Sequence, residues 1–115
     1  MKRACALAAL PIAVMQCEPA CEPGPAPAAI QSRYGVAVWD NIAECESGGR
    51  WDHPPVTNRS GTYSGGLMIG HRWWPEFGGR EFATYPYQAT KAEQIVVAER
   101  IASEVGLDSG WQCYP

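Results

Sequence analysis

A helix that has to end at a pair of glycines sets the first constraint on this chain. Across Trp39-Asp40-Asn41-Ile42-Ala43-Glu44-Cys45-Glu46-Ser47-Gly48-Gly49-Arg50-Trp51, apolar residues recur at helical spacing and then stop. Val38, Ile42 and Cys45 share one face, while Trp39, Ala43 and Glu46 line the neighbouring stripe, which carries Glu46 toward the core. Ser47-Gly48-Gly49 offers the left-handed residue that closes a helix, and Trp51 follows with a large apolar surface beside the acid. A half-buried carboxyl against aromatics keeps its proton to higher pH than a solvated one, so Glu46 is a candidate proton donor. The plainer alternative is a solvated helix-end glutamate with no chemical task.

A second helix is written just as firmly near the other end. Thr90-Lys91-Ala92-Glu93 is a capping box, and Ile95, Ala98, Ala102 and Val105 keep a helical stripe until Gly106 stops it. This stripe is expected in the core, packed on the Val38/Ile42 face. Between the two helices, residues 52–62 are turn-rich and read as an exposed loop. Thr62 to Ile69 is a short β-like run broken by Gly65-Gly66, expected to form the floor of a cleft beside Glu46. His71 to Phe77 reads as a short helix interrupted by Pro75 and stopped by Gly78-Gly79. The expected class is α+β and mostly helical, with three helices and one short β-like segment.

The chain has 115 residues, enough for one modest core plus an extension. Its formal net charge is -3, with no basic face to neutralise phosphates, so nucleic acid is not expected as a partner. Lys2-Arg3 followed by apolar Ala4 to Val14 resembles a secretory signal and is too short to span a bilayer, so no stable membrane insertion is expected. Ala26-Pro27-Ala28 has the small residues wanted before a cleavage, and Val14-Met15-Gln16-Cys17 matches a lipoprotein attachment site poorly. Residues 18–33 are Pro/Ala-rich and read as a linker, which leaves residues 34–115 as the folded domain. Removing the signal and much of the linker leaves Cys45 and Cys113, and a secreted pair reads as a disulfide closing almost the whole domain. The competing readings are a catalytic thiol with His53 or His71, or a zinc site built from these four residues. Neither has a recognised spacing.

The segment Trp39 to Trp51 resembles the opening of the catalytic domain of actinobacterial resuscitation-promoting factors, small lysozyme-like enzymes that cut peptidoglycan. The resemblance continues in order through Tyr63-x-Gly65-Gly66-Leu67, Trp74, Phe77-Gly78-Gly79, Gln94-Ile95-x-Val97-Ala98-Glu99-Arg100 and Gly110-Trp111-x-Cys113. It implies a lysozyme-like fold, Glu46 as catalytic acid and base, a Cys45–Cys113 pair, and Tyr63 and Trp74 in or next to a sugar groove. For both aromatics, core packing is the competing role. Trp51, Asp52, Trp73 and Met68 complete the candidate substrate contacts. Where the family usually has Gln, this chain has Met68, and where it usually has Thr, this chain has Trp73. The segment between Trp51 and Tyr63 is also longer than usual.

Glycosidic cleavage needs a proton for the leaving oxygen and stabilisation of an oxocarbenium-like centre. Glu46 can supply the first, and Asp52, six residues on and past a glycine turn, is the obvious candidate for a second carboxylate. With one acid alone, the sugar's own 6-hydroxyl can attack the anomeric carbon and give a 1,6-anhydro product. The expected protein is a secreted, monomeric muramidase or lytic transglycosylase that uses no metal or organic cofactor. Its partner is the peptidoglycan glycan strand. It would work in the cell wall during remodelling and regrowth, or in a virion or lysing host cell if phage-encoded. The alternatives are a wall-binding module of the same fold without turnover, and a small secreted disulfide domain acting as a protein ligand.

Overall fold

The computed structural model describes residues 32–114. Its elements are α1 (Val36–Ser47), β1 (Val56–Asn58), β2 (Gly61–Ser64), β3 (Ile69–Gly70), α2 (Trp73–Glu76), α3 (Lys91–Val105) and α4 (Leu107–Gly110). Single 3-10 turns stand at Gly79–Glu81 and Pro86–Gln88. The class is α+β, as expected. The signal-like residues 1–17 and most of the linker 18–33 lie outside the described residues.

α1 ends where the glycine pair stops it. Gly48 is left-handed at φ 71°, and the Gly48 and Gly49 amides donate to the carbonyls of Glu44 and Ala43, both at 3.0 Å. The inward face differs from the expected one. Trp39, Ile42 and Ala43 are buried, Val38 is only partly buried, and Cys45 is exposed. The core stripe thus runs i, i+3, i+4 from Trp39, and its next position is Glu46. A tryptophan outweighs a valine in area removed from water, which turns the helix by that much.

α3 starts at its capping box. The Thr90 hydroxyl accepts from the Glu93 amide at 3.1 Å, and the Glu93 carboxylate accepts from the Thr90 amide at 2.9 Å. Ile95, Ala98 and Ala102 are buried as expected, and Val97 and Ile101 join them, whereas Val105 sits at the edge. The helix is central and buries more than one stripe. Gln94 is also fully buried and fully used: its Nε2 donates to the carbonyls of Trp51 and Ala89, and its Oε1 accepts from the Gly66 amide. One side chain thereby ties three loops to α3. After Gly106, the chain makes one more helical turn, α4, which the sequence reading did not include.

Residues 52–62 are more ordered than an exposed loop. Val56–Asn58 pairs antiparallel with Gly61–Ser64, and β2 pairs antiparallel with β3, giving the order β1-β2-β3. All of β1 is solvent-exposed, so burial gave no signal there. Pro54-Pro55 lack amide donors and lead into β1, which stands at the edge of the sheet.

The Cys45–Cys113 disulfide is formed, with Cα atoms 5.8 Å apart at a sequence separation of 68. Both sulfurs are thereby taken, which rules out the thiol and zinc readings. A separate clasp holds the start of the domain. Glu99 on α3 accepts from the Ser32 hydroxyl, the Arg33 and Tyr34 amides, and the Trp39 indole at 2.7 Å. No helix among the described residues is long and apolar enough to cross a membrane.

Candidate active site

Two devices fix the end of α1. The Ser47 hydroxyl lies 3.0 Å from the Ala43 carbonyl and 2.8 Å from the Gly66 carbonyl, joining the helix end to the turn between β2 and β3. The disulfide holds the C-terminal segment against the same end, which brings the Cys113 amide to the Glu46 carboxylate. Glu46 therefore has neighbours from both ends of the domain.

It opens onto a cleft of about 880 Å³. The floor comes from residues 61–63 and 68–70. One side carries Val56 and Asn58 of β1, and another carries Arg72, Trp73 and Glu76 at α2. Residues 109–112 close the side nearest the disulfide, with the Trp111 indole anchored on the Leu67 carbonyl at 2.8 Å. The cleft mixes aromatic and aliphatic surface with hydroxyl and amide groups, a lining suited to a sugar with its apolar ring faces and polar rim.

Burial pushes the Glu46 carboxyl above its ordinary value, and the Cys113 amide opposes this only in part. A site at neutral pH thus contains a carboxyl with raised proton affinity next to open space. That is the state a general acid requires.

The other sequence-selected residues separate into two groups. Tyr63, Met68 and Trp73 line the cleft with Glu46. Tyr63 is flanked across the sheet by Val56 and Gly70, so β-pairing sets its position. Trp74, Trp51 and Asp52 do not line it. Trp74 is fully buried in the core with its indole donating to the Ala83 carbonyl at 2.8 Å. Trp51 packs on Gly66, where a Cβ would stand 2.5 Å from the ring, and its outer face meets Lys91 at 5.3 Å. Asp52 is exposed and pairs with Arg50 at 3.4 Å.

Met68 has a left-handed backbone, φ 49°, the one non-glycine residue among those described with positive φ. Such a conformation is strained, and the turn that imposes it delivers Met68 into the cleft. Sequence reasoning missed Val56, Arg72, Glu76 and the 109–112 wall. For the last of these a signal existed: whatever neighbours Cys113 must lie near Glu46 once Cys113 is bonded to Cys45.

Residues 35–113 match the transglycosylase-like domain family. Among curated relatives, the chain is 46% identical over 77 residues to resuscitation-promoting factor Rpf1 of Corynebacterium glutamicum, covering 67% of this chain and 36% of that protein. It is 41% identical over 80 residues to resuscitation-promoting factor Rpf of Micrococcus luteus, covering 70% and 31%. With resuscitation-promoting factor RpfC of Mycobacterium tuberculosis it shares 40% identity over 75 residues, covering 65% and 49%. The matched region thus spans about a third to a half of these relatives.

Proposed function

Because the chain belongs to the transglycosylase-like domain family, we propose that it cleaves the glycan strands of peptidoglycan at the β-1,4 bond between N-acetylmuramic acid and N-acetylglucosamine, with Glu46 as the single catalytic acid and base. The observation that carries this reading is the position of Glu46: a carboxyl with raised proton affinity on the wall of an open cleft. Glu46 donates its proton to the glycosidic oxygen as the bond to the anomeric carbon breaks. The resulting carboxylate then takes the proton of the attacking hydroxyl. If that hydroxyl is the muramyl 6-OH, the product is a 1,6-anhydro sugar; if it is water, the product is the reducing sugar.

Tyr63, Met68 and Trp73 form the surface on which the sugar rings would rest. Asp52 points away from this chemistry by its exposure and its pairing with Arg50, while Glu76 is the other carboxylate that lines the cleft. Neither metal nor organic cofactor enters the scheme. Lys2 to Val14 supports export to the cell wall, where the substrate is, and the names of the relatives support a part in regrowth.

A wall-binding protein without turnover is the second reading, supported by the apolar Met68 and Trp73 in the cleft. The test is to incubate the disulfide-bonded protein with purified actinobacterial peptidoglycan and read the soluble products by mass spectrometry, with Glu46→Gln in parallel. Products that need Glu46 are expected, and a muramyl end lighter by one water identifies transglycosylation. A folded, wall-bound protein that releases nothing rejects cleavage in favour of the binding reading.

A further inference from the structure

Among the charged side chains of the cleft, one is positive. Glu46, Glu76 and Arg72 all line it. Elsewhere among the described residues, Arg50, Lys91 and Arg100 are engaged with Asp52, Asp40 and Glu81 at 3.4, 2.7 and 2.9 Å. Arg72, like Arg33, Arg59 and Arg80, has no such partner among the described residues, although Glu76 stands one helical turn further on. A surface arginine without a partner is ordinarily just solvated. Here it borders a cleft whose remaining charges are carboxyls, in a chain of net charge -3.

That setting matters for an anionic polymer. Charges beyond about 8 Å are screened at physiological ionic strength, so a substituent seated in the cleft responds to the groups lining it rather than to the distant surface. Glu76 repels a carboxylate, and Arg72 alone attracts one. A planar guanidinium also matches a carboxylate with two parallel hydrogen bonds, which fixes direction as well as affinity. Resting on the glycan reading of the cleft, we propose that Arg72 is a specificity residue that pairs with a carboxylate on the muramyl sugar of the bound strand. Such a carboxylate has two sources: the free lactyl group of a strand stripped of its peptides, or the stem peptide whose attachment consumes that group. In either case the pairing sets which way the strand lies, because only muramyl positions carry the anion.

The test reads binding, not turnover. The disulfide-bonded Glu46→Gln protein is titrated with three tetrasaccharides: a neutral N-acetylglucosamine oligomer, a stripped glycan with free lactyl groups, and the same glycan bearing stem tetrapeptides. Each titration is repeated with Arg72→Gln and Arg72→Lys added. Arg72→Gln is expected to weaken one carboxylate-bearing probe by about tenfold or more, in line with a charged hydrogen-bonded pair, and to leave the neutral probe as it was. Arg72→Lys should restore part of the loss. The probe that responds identifies the source of the carboxylate. Equal weakening of all three probes, or none on either anionic probe, overturns the assignment while leaving the glycan reading intact. No binding of any probe by the protein with Arg72 in place rejects the glycan reading itself.

Discussion

Two glutamates flank α1, and their environments send their protons in opposite directions. Glu99 lies beside the start of the helix and Glu46 on its last turn. For Glu99 the largest single influence is burial, which raises its pKa, but the Ser32 hydroxyl, the Trp39 indole and the Tyr34 and Arg33 amides together outweigh it and hold the carboxyl below its ordinary value. For Glu46 burial also leads, but one backbone amide opposes it, and the pKa rises. Burial alone therefore does not make an acid. Withholding donors does, and the fold spends its indole and hydroxyl on the glutamate that holds the domain together.

The largest effect that tests this contrast is on cleavage. Glu46→Gln should lower the rate of product release by about 10²–10⁴-fold, the usual reach of a positioned acid or base, while Glu99→Gln should leave the rate per folded molecule unchanged. Product release measured by mass spectrometry, normalised to folded protein, checks both. If Glu99→Gln cost as much as Glu46→Gln, the division between a chemical and a structural glutamate would be lost.

Next comes the cross-link that serves the chemical side. Replacing Cys45 and Cys113 together by serine should cost about 4 kcal/mol on the chain-entropy estimate, read as a lower urea midpoint. It also frees the Cys113 amide from the Glu46 carboxylate. The rate profile of the residual folded protein should then shift the limb on which rate falls as Glu46 loses its proton toward higher pH, since the one opposing influence is gone. An unchanged limb would mean that the disulfide stabilises the fold without tuning the acid.

On the structural side the effect is smaller and its pH dependence has the opposite sign. Glu99→Gln should lower stability by about 1–3 kcal/mol at neutral pH, as hydrogen bonds to a charged acceptor are replaced by weaker ones. Because its folded pKa is depressed, Glu99 contributes stability above its ordinary 4.5, and this is lost as pH falls through the folded value. Glu46 behaves in reverse. Its raised pKa means that the folded state binds more protons, so its burial costs stability increasingly as pH rises from 4.5 through the folded value. Glu46→Gln should accordingly melt above the wild type at neutral pH and converge with it in acid. Melting temperatures across pH 3 to 8, roughly the range over which perturbed carboxylates titrate, check both signs.

The same contrast explains what could be read in advance. α1 and α3 were legible because their signals are local: an apolar period, a capping box and terminal glycines lie within a few residues of one another. The cysteine pair was legible because so few partners remained. The edge strand Val56–Asn58 was not, since an exposed strand after two prolines carries no alternation of apolar and polar residues. Trp74 shows the limit for side chains. A tryptophan near a cleft can face the sugar or the core, and its burial depends on Ala83 and Gly79, which the sequence does not bring together on the page. Arg72 and Glu76 were missed for a related reason, because nothing local tells a solvated charge from one that a fold places at a cleft.

The smallest expected effect concerns Asp52, the sequence's candidate for a second catalytic carboxylate. A second carboxylate in glycoside cleavage has to reach the anomeric carbon or the water that attacks it. Asp52 does not line the cleft, its side chain is 79% exposed, and its contact with Arg50 is the kind of surface pair worth about 0–1 kcal/mol. Asp52→Asn should therefore leave both the cleavage rate and the melting temperature near wild type. Glu76→Gln is the informative companion, because Glu76 shares the cleft with Glu46. With Glu46 as the single acid, Glu76→Gln should alter substrate affinity more than turnover, since it removes a negative charge without removing the proton donor. A collapse of kcat in Glu76→Gln with KM unchanged would make Glu76 the second catalytic carboxylate. The favoured attack would then change from the sugar's own hydroxyl to an activated water.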